Sequence, residues 1–502
     1  MTSTSVRTDG VRLRSSRADV HETHCAVVFL FGDRAYKVKK PVDLGFLDFR
    51  IVAERERVCW REVELNRRLS PDVYLGVAHL SGPNHEAPEP VVVMRRMPDQ
   101  LRLSAMVRAG TPVIEPLRRL ARLVADFHAR AETNPDIARH GGQAALRGRW
   151  TANLRETDQF RGRYLDPCSH AEVERLAMRY LDGRGWLLAA RAEAGLVRDG
   201  HGDLIADDIF CLPDGPRVLD CLEFDDRLRY VDVLDDVAFL AMDLERIGAP
   251  DLARRFLDWY AEFSQTPRVA SLEHHYIAYR AFVRAKVACL AADQGVEHAA
   301  SRAVQLTDLA LRHLRHGAVT LLVVGGMPGA GKTTLCSALA HRLGWTLLRS
   351  DEVRQELFDA NAADRYSATA TAATYAELLQ RGRAALSHGT SVILDATWPD
   401  AASRASAAQL GAATSSDMVE LECRLPVETA ARRAGLRFQA GRDASEADSE
   451  VARNQAAVRD PWPTAIAVDT STAPADALAS ALKHLPGPAP QRVWPRPRLL
   501  PD

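Results

Sequence analysis

Apolar positions in the first part of the chain repeat with two different periods, which predict short strands followed by long helices. Residues 24–40 (HCAVVFLFGDRAYKVKK) predict a hairpin with a Gly-Asp turn between two strands. Val58, Leu65 and Leu69 lie on one stripe of a helix predicted over residues 52–69. The further predicted elements are a strand at 91–98, helices at 114–132 and 170–192, short strands across 197–224, and almost continuous helix over 233–315.

A different pattern begins at Val319, where the apolar strand TLLVVGG precedes a glycine-rich turn and a helix. Further strands, which alternate with helices, are predicted at 345–349, 391–395, 418–424 and 464–469. This alternation is typical of a parallel sheet with helices on both faces. The proline-rich residues 485–502 predict a disordered or extended tail.

Composition limits the classes of protein to which the chain can belong. The 502 residues include 65 basic and 66 acidic side chains, for a net charge of −1, and 46% are apolar. These fractions are typical of a folded globular protein, and the balanced charge argues against a nucleic-acid partner. No apolar run reaches the roughly 18 residues of a membrane span, and the first residues lack the apolar stretch of a secretory signal. The 8 cysteines show no metal-ligand spacing. We therefore expect a cytoplasmic protein with reduced thiols and no membrane partner.

The segment after the Val319 strand carries the complete phosphate-loop pattern GxxxxGK[ST]. The predicted nucleotide-binding residues are Gly326, Met327, Pro328, Gly329, Ala330, Gly331, Lys332, Thr333 and Thr334. Glycines allow backbone N–H groups to surround phosphate oxygens at a helix N-terminus. Lys332 is expected to reach the β- and γ-phosphates of ATP and to act in catalysis, and Thr333 to offer its hydroxyl to Mg²⁺.

Two acidic residues after predicted strands are candidates for the chemistry at this loop. Asp351, in SDEVR, either accepts a proton from a substrate hydroxyl as the catalytic base or caps a helix. Arg354, one helical turn later, is placed to hold an anionic group of the substrate. Asp395 ends an apolar strand and is either a Mg²⁺ ligand or a loop aspartate.

Four arginines follow on a helix and the loop after it: Arg432, Arg433, Arg437 and Arg442. They either close over the transferring phosphates as a lid or form a solvated helix face.

Residues 318–470 resemble the P-loop kinases of small molecules and polynucleotides, the group that includes zeta toxin and chloramphenicol phosphotransferase. The likeness rests on the segments GMPGAGKT, SDEVR and LDATW. It implies ATP-dependent phosphorylation of a hydroxyl group, with Asp351 in the position of the base.

Three acidic residues in the first part of the chain form a second candidate site. Asp203 follows His201-Gly202 at a strand-to-loop corner, Asp208 comes five residues later, and Asp220 lies twelve residues further on, in an alternating strand. Phosphoryl transfer needs such a set, because one carboxylate orients the attacking hydroxyl while hard oxygen ligands hold Mg²⁺.

A buried pair of opposite charges is predicted beside these acids. Glu62 falls on the apolar stripe of the 52–69 helix, where an unpaired carboxylate would cost about 3–5 kcal/mol. It therefore requires a cation, and Lys37 on the preceding strand is the first candidate, with Lys39 on the same face as the alternative. In kinases such a pair presents the ammonium group to ATP phosphates. An ordinary edge-strand lysine and a rim glutamate are the simpler interpretation.

With these residues in view, the first part of the chain resembles the aminoglycoside phosphotransferase and choline kinase class, whose fold is that of protein kinases. The matching segments are AYKVKK, REVELNRRL, HGDL, VLDCLEF and DVLDDVAFLAMDL. The resemblance implies that Asp203 is the catalytic aspartate, that Asp220 is a metal ligand, and that Asp232 and Asp236 belong to a structural segment. Asp208 replaces the metal-binding Asn of the class.

Both parts together resemble bacterial proteins described as bifunctional aminoglycoside phosphotransferase-like/ATP-binding proteins. The predicted fold class is two-domain α/β: a two-lobed, protein-kinase-like α+β domain at 1–316, a P-loop αβα sandwich with a parallel sheet at 317–484, and the tail. The predicted function is ATP- and Mg²⁺-dependent phosphorylation of a hydroxyl on a small metabolite. In one alternative, only the P-loop domain is catalytic and the first domain binds substrate or regulates. In another, the protein senses nucleotides without catalysis. The sequence leaves the acceptor and the oligomeric state open.

Overall fold

The computed structural model describes residues 19–22, 26–42, 49–80, 88–359, 365–440 and 449–485. The strands of this part of the chain are β1 (Asp19–Glu22), β2 (Ala26–Phe31), β3 (Arg34–Lys39), β4 (Tyr74–Leu80), β5 (Glu89–Arg95), β6 (Val197–Asp199), β7 (Ile209–Leu212), β8 (Gly215–Val218), β9 (Tyr230–Asp232), β10 (Thr320–Gly325), β11 (Thr346–Arg349), β12 (Val392–Asp395), β13 (Asp417–Arg424) and β14 (Ile466–Asp469). Apart from Leu485, the predicted tail lies outside the described residues.

The α-helices of the described residues are α1 (Val52–Asn66), α2 (Leu103–Arg108), α3 (Ile114–Arg130), α4 (Pro135–Arg139), α5 (Gln143–Thr157), α6 (Pro167–Gly183), α7 (Gly185–Glu193), α8 (Val233–Arg246), α9 (Pro250–Ser264), α10 (Ala270–Asp293), α11 (Ala299–His316), α12 (Lys332–Leu343), α13 (Ser350–Leu357), α14 (Ala368–Ser387), α15 (Ala401–Ala413), α16 (Val427–Ala440), α17 (Ser449–Ala457) and α18 (Pro474–Leu482). In this part of the chain, no helix has the length and apolar character needed to cross a membrane.

The described residues divide into two compact units, and each unit is assembled from separate stretches of sequence. The first unit takes its residues from 1–137 and 197–266, and the second from 138–196 and 267–502. The predicted domain boundary between residues 316 and 317 lies inside the second unit. The division into functional domains at that point therefore remains a proposal.

An antiparallel sheet opens the first unit, in the strand order β1-β2-β3-β5-β4. The predicted hairpin is present: β2 and β3 pair in antiparallel register across the Gly32-Asp33 turn, where Gly32 has a φ of 58°. Helix α1, predicted over 52–69, packs on β4 and β5 and contributes buried Cys59 and Val63 to the core beneath the sheet. Two short antiparallel pairs, β6 with β9 and β7 with β8, follow in the same unit.

The predicted helix over 233–315 is divided into four helices, α8 to α11. Gly248, Gln265 and Gly295 lie at the ends of α8, α9 and α10, and all three have positive φ angles. A left-handed residue ends a helix because it cannot continue the right-handed repeat of backbone dihedrals. The predicted helix over 170–192 is likewise divided, into α6 and α7, at Arg184.

A parallel sheet forms the centre of the second unit, in the strand order β11-β12-β10-β13-β14. β10 is buried along its whole length and pairs with β12 and β13. Leu322 and Ile393 pack with α12 and α18, whereas Leu321 lies beside α15 and Leu394 beside α14. The predicted α/β class is confirmed: an α+β part with an antiparallel sheet is followed by a parallel sheet with helices on both faces.

Helices from two separate stretches also belong to the second unit. Arg184, buried between α6 and α7, donates to the carbonyl oxygen of Thr414 at 2.8 Å. Ser271 at the start of α10 donates to the carbonyl oxygen of Gly389 at 2.7 Å. Both bonds connect these helices to segments that precede strands of the parallel sheet.

Candidate functional site

The phosphate loop lies between β10 and α12, at the carboxyl end of the central strand. Gly329 and Gly331 have φ angles of 80° and 84°, which favour glycine, and a Cβ at Gly329 would overlap the carbonyl oxygen of Ala430. Lys332 begins α12, and its ammonium group donates to the carbonyl oxygen of Met327 at 3.1 Å. The predicted nucleotide-binding residues therefore form one turn followed directly by a helix N-terminus, which is the local structure that binds phosphate.

Thr333 and Asp395 meet at the end of this loop. Thr333 donates its hydroxyl hydrogen to Asp395 Oδ2 at 2.8 Å, and Asp395 is buried at the end of β12, the strand beside β10. Burial raises the pKa of Asp395 above its ordinary value, against the opposing charge of Lys332. A hydroxyl and a carboxylate are hard oxygen ligands, so the pair fits a magnesium ion carried on nucleotide phosphates.

Asp351 lies in the first turn of α13, directly after β11, and its side chain is half-buried. The cap position of this helix is Arg349, so the interpretation of Asp351 as a capping residue is wrong. Arg354 is buried, donates to the carbonyl oxygen of Arg365 at 3.0 Å and stacks on the ring of Tyr366 at 5.0 Å. Arg354 thus binds its own chain, and its role toward a substrate stays a prediction.

The predicted lid arginines lie on α16. Arg433 is exposed and donates to the carbonyl oxygen of Thr470 at 3.1 Å, whereas Arg437 is half-buried. Arg432 is exposed, and Arg442 lies outside the described residues. The lid role of these residues stays a prediction.

Arg349 is a candidate that the sequence analysis missed. It ends β11 opposite Asp395 in the parallel register, and its Nε lies 3.6 Å from Asp395 Oδ2. It also forms an ion pair with Glu352 at 2.8 Å. A basic residue directly before SDEVR is the only signal in the sequence, and it becomes informative once β11 and β12 are known to be neighbours.

The first unit brings the predicted lysines and glutamate together in a buried network. Lys37 and Lys39 on β3 reach the two carboxylate oxygens of Glu62 on α1 at 2.9 and 2.6 Å. Lys39 also pairs with Glu223, which the sequence analysis missed. Lys39 and Glu62 have almost no exposed surface. The two lysines weighed as alternatives therefore share one carboxylate.

Lys37 has a second partner, Asp220. Asp220 has a φ of 64°, a rare conformation for a residue other than glycine, and its backbone amide donates to the hydroxyl oxygen of Tyr74 at 3.1 Å. Burial acts to raise the pKa of Asp220, but the positive groups around it, Lys37 first and then Lys39 and His201, together lower that pKa. The predicted phosphate-binding lysine and a predicted metal ligand are therefore in direct contact.

Asp236 on α8 fixes the loop that carries Asp203. Its carboxylate accepts the backbone N–H groups of His201 at 2.7 Å and Gly202 at 2.8 Å, and it lies 3.0 Å from His128 Nε2. Burial acts to raise the pKa of Asp236, but these contacts hold it well below its ordinary value. His128, which was not among the predicted site residues, thus helps to position the loop.

Asp203, Asp208 and Asp220 affect one another electrostatically. Burial, followed by the charges of Asp220 and Asp203, raises the pKa of Asp208 well above its ordinary value. Among the described residues, no three His, Cys, Asp or Glu side chains are arranged to hold a metal ion. Two carboxylates suffice for magnesium when phosphate oxygens and water complete its shell. The donor set of Asp208 and Asp220 therefore fits a magnesium ion that arrives with a nucleotide.

Comparison with known proteins gives a family match for part of the chain and relatives for almost all of it. A family model described as an AAA domain matches residues 321–462. The uncharacterized protein Rv2004c of Mycobacterium tuberculosis is 45% identical over 462 residues, which cover 90% of this chain and 92% of that protein. The uncharacterized protein Mb2027c of Mycobacterium bovis matches with the same identity and coverage.

Two solved structures are similar to parts of the chain. A choline/ethanolamine kinase family protein from Mesorhizobium loti has a TM-score of 0.38 and 16% identity, covering 61% of this chain and 94% of that one. A gluconokinase from Sinorhizobium meliloti has a TM-score of 0.24 and 18% identity, covering 33% of this chain and 90% of that one.

Proposed function

Since the chain belongs to the family of the mycobacterial protein Rv2004c, which it matches across both units, we propose one function for this architecture: ATP-dependent phosphotransfer to a hydroxyl group of a small metabolite. In this proposal the phosphate loop binds MgATP, and the kinase-like part of the first unit is a second, divergent phosphotransfer site. The partners are a nucleotide and a small-molecule acceptor.

The contact between Thr333 and Asp395 carries the proposal. It joins the end of the phosphate loop to the neighbouring strand and offers two hard oxygen ligands where ATP phosphates would lie. Because Lys332 begins the helix at the same place, a nucleotide would meet backbone N–H groups, an ammonium group and a helix N-terminus together. Bound magnesium would supply neutralisation of the phosphate charge.

Asp351 is the proposed base of the P-loop site. The acceptor hydroxyl oxygen would form a bond to the γ-phosphorus of ATP while the bond from that phosphorus to the bridging oxygen of ADP breaks, and Asp351 would take the hydroxyl proton. Arg354, Arg433 and Arg437 are proposed to stabilise negative charge on the substrates. Arg354 and Arg433 bind carbonyl oxygens of their own chain, so this role requires them to exchange partners.

In the first unit, Lys37 is proposed to hold ATP phosphates while Glu62 fixes its ammonium group. Asp203 is proposed to orient the acceptor hydroxyl, with Asp208 and Asp220 as magnesium ligands. Lys37 pairs with Asp220, so nucleotide and magnesium would have to separate this pair.

A second candidate function keeps only the P-loop site catalytic, while the first unit binds substrate or regulates. The Lys37–Asp220 pair and the additional carboxylate of Asp208 favour it. Three acids beside a triphosphate oppose its binding unless magnesium compensates their charge.

Full-length variants test the proposal and separate the two candidates. The unchanged chain, Lys332→Ala and Asp203→Ala are compared with Lys286→Ala, a control whose ammonium group pairs with Glu156 and belongs to neither set of candidate site residues. Each is incubated with labelled ATP, Mg²⁺ and a metabolite extract, and calorimetry measures MgATP binding. We expect Lys332→Ala to abolish one labelled product, and Asp203→Ala to reduce another by about 10²-fold or more.

The pattern of products decides the outcome. If Lys332→Ala abolishes every product while Asp203→Ala changes none, only the P-loop site is catalytic. Tight MgATP binding without any labelled product would contradict phosphotransfer and favour nucleotide sensing. If calorimetry detects no binding of MgATP to the unchanged chain, nucleotide binding itself is contradicted.

A further inference from the structure

Buried hydrogen-bond donors without acceptors lie beside the phosphate loop. Within the part of the chain that the structure describes, Arg459 Nη2 and the indole nitrogens of Trp398 and Trp462 have no hydrogen-bond partner. Trp398 is completely buried, Trp462 is almost completely buried, and the Arg459 side chain is 12% exposed. A buried donor without an acceptor costs about 1–3 kcal/mol, so three together indicate that an acceptor from outside the chain satisfies at least some of them.

These donors lie at the same sheet edge as the phosphate loop. The ring of Trp462 occupies the space where a Cβ of Gly325 would be, and Arg459 Nη2 lies 3.3 Å from that Cβ position. Gly325 ends β10 and directly precedes the loop. Asp460 holds this segment in place, because its backbone amide donates to the carbonyl oxygen of Pro399 at 3.0 Å. Ligands of open α/β sheets bind at this carboxyl edge of the strands.

The charges around Arg459 favour an anionic ligand. The carboxylate of Glu422 lies 3.3 Å from the Nε of Arg459 and also binds Arg424 at 2.6 Å. Arg404 stacks on the indole ring of Trp462 at 5.2 Å, and Arg459 lies over the same ring at 5.8 Å. Two guanidinium groups thus share one carboxylate, and a third lies on the same indole ring as Arg459. Burial, against the charge of Glu422, lowers the pKa of Arg459.

We infer that Arg459 and Trp462 bind an acidic group of the phosphoryl acceptor, so that the P-loop site takes a hydroxy acid whose second group is a carboxylate or a phosphate. The inference rests on the proposed phosphotransfer at this loop. Backbone amides and Lys332 already serve the triphosphate in that proposal, and indole N–H donors beside a guanidinium group suit an organic anion. Arg459 acts as a binding residue and takes no proton.

Phosphorylation assays on the full chain test this inference. All proteins carry Asp203→Ala, so that the P-loop site alone is measured, and receive labelled ATP, Mg²⁺ and either hydroxy acids (glycerate, gluconate, 3-phosphoglycerate), the matching neutral polyols, or a metabolite extract. Anion exchange separates products that carry an additional acidic group from phosphorylated neutral alcohols. Arg459→Met is compared with Arg424→Met, an exposed arginine on the same Glu422.

We expect labelled products to carry an acidic group besides the new phosphate. Arg459→Met should reduce kcat/KM for them by roughly 10–100-fold, Arg459→Lys should recover part of the loss, and Arg424→Met should have little effect. The MgADP affinity of each variant should stay within about twofold of the parent protein, and this result would show that the phosphate loop is folded in the variants.

Three results would overturn the inference. The first is a product from neutral or cationic alcohols alone, in which case phosphotransfer stands and the substrate class is wrong. The second is an unchanged kcat/KM in Arg459→Met. The third is a loss of affinity for MgAMP-PNP but not MgADP, which would assign Arg459 to the γ-phosphate. Absence of every product would instead contradict the proposed function as well.

Discussion

Glu62 is a carboxylate without exposed surface that forms ion pairs with two ammonium groups at once. Lys37 and Lys39 both reach it, and Lys39 is equally buried. Removal of a buried charge is costly because its partners keep their charges and cannot be resolvated.

We therefore expect Glu62→Gln to lower the free energy of unfolding by about 3–5 kcal/mol. Urea denaturation of the full chain, followed by circular dichroism, measures this change. Glu64→Gln is the matched control on the same helix, because Glu64 is exposed and pairs with Arg61 at 2.8 Å. Its cost should be about 0–1 kcal/mol. Equal costs in the two variants would contradict the structural importance of the shared carboxylate.

Single residues show where sequence reasoning reached its limit. A charged residue on an apolar helix stripe required a buried partner, so the contact of Glu62 with Lys37 or Lys39 could be predicted. The contacts of Glu223, Arg349 and Arg459 could not be predicted, because each residue lies near its partner only through the order of strands or the path of a loop. Charge and spacing in the sequence give no information on such neighbours.

At the scale of elements, the phosphate loop depends on a close approach to α16. Gly329 and Gly344 both have left-handed φ angles, 80° and 70°, so a side chain strains the backbone at either position. The two positions differ in the space around them. A Cβ at Gly329 would overlap the carbonyl oxygen of Ala430, whereas no atom of the described residues outside the immediate chain neighbours lies within 4 Å of a Cβ at Gly344.

We expect Gly329→Ala to weaken MgADP binding by 10-fold or more, because the loop must move to relieve the overlap. Gly344→Ala should keep its affinity and lose about 1 kcal/mol of stability. Calorimetric titration of the full-length variants provides the affinities, and thermal unfolding provides the stabilities. If both variants bound MgADP alike, backbone strain alone would account for both substitutions.

The strands of the parallel sheet could be predicted because each is a short apolar run before a turn signal. The ends of the helices within residues 233–315 were harder to predict, because Ala, Leu and Arg favour helix on both sides of every break. Gly248 and Gly295 are breaks that the sequence marks, whereas Gln265 adopts its left-handed conformation without a local signal. Tertiary packing determines the backbone conformation at such positions, and the amino-acid composition of the segment does not indicate that packing.

At the scale of the whole molecule, Arg184 joins the helices of 138–196 to the P-loop sheet within one unit. It has almost no exposed surface and donates to Thr414 at 2.8 Å and to Ser416 at 3.3 Å. Burial lowers its pKa to about 10, so the group remains charged at neutral pH.

We expect Arg184→Ala to lower the stability of the P-loop unit by about 1.5–3 kcal/mol, the range for hydrogen bonds to a charged group. The unfolding transition of this unit is the one that MgATP raises in the unchanged chain, by about 2.7 kcal/mol at 100 times Kd, but not in Lys332→Ala. Arg175→Ala, which removes an exposed pair with Glu172 on the same helix, is the control and should cost less than about 1 kcal/mol. A loss confined to the other transition would contradict the assignment of these helices.

The division of each unit between separate stretches has a consequence for synthesis on the ribosome. The chain passes from one unit to the other after residues 137, 196 and 266. Helices α5 to α7 emerge before any strand of the sheet that they accompany, since β10 begins only at Thr320. At roughly 5–20 residues per second, their apolar faces wait on the order of ten seconds for that sheet. Nascent chains of this protein should therefore bind holding chaperones in that interval and release them once the parallel strands have been made.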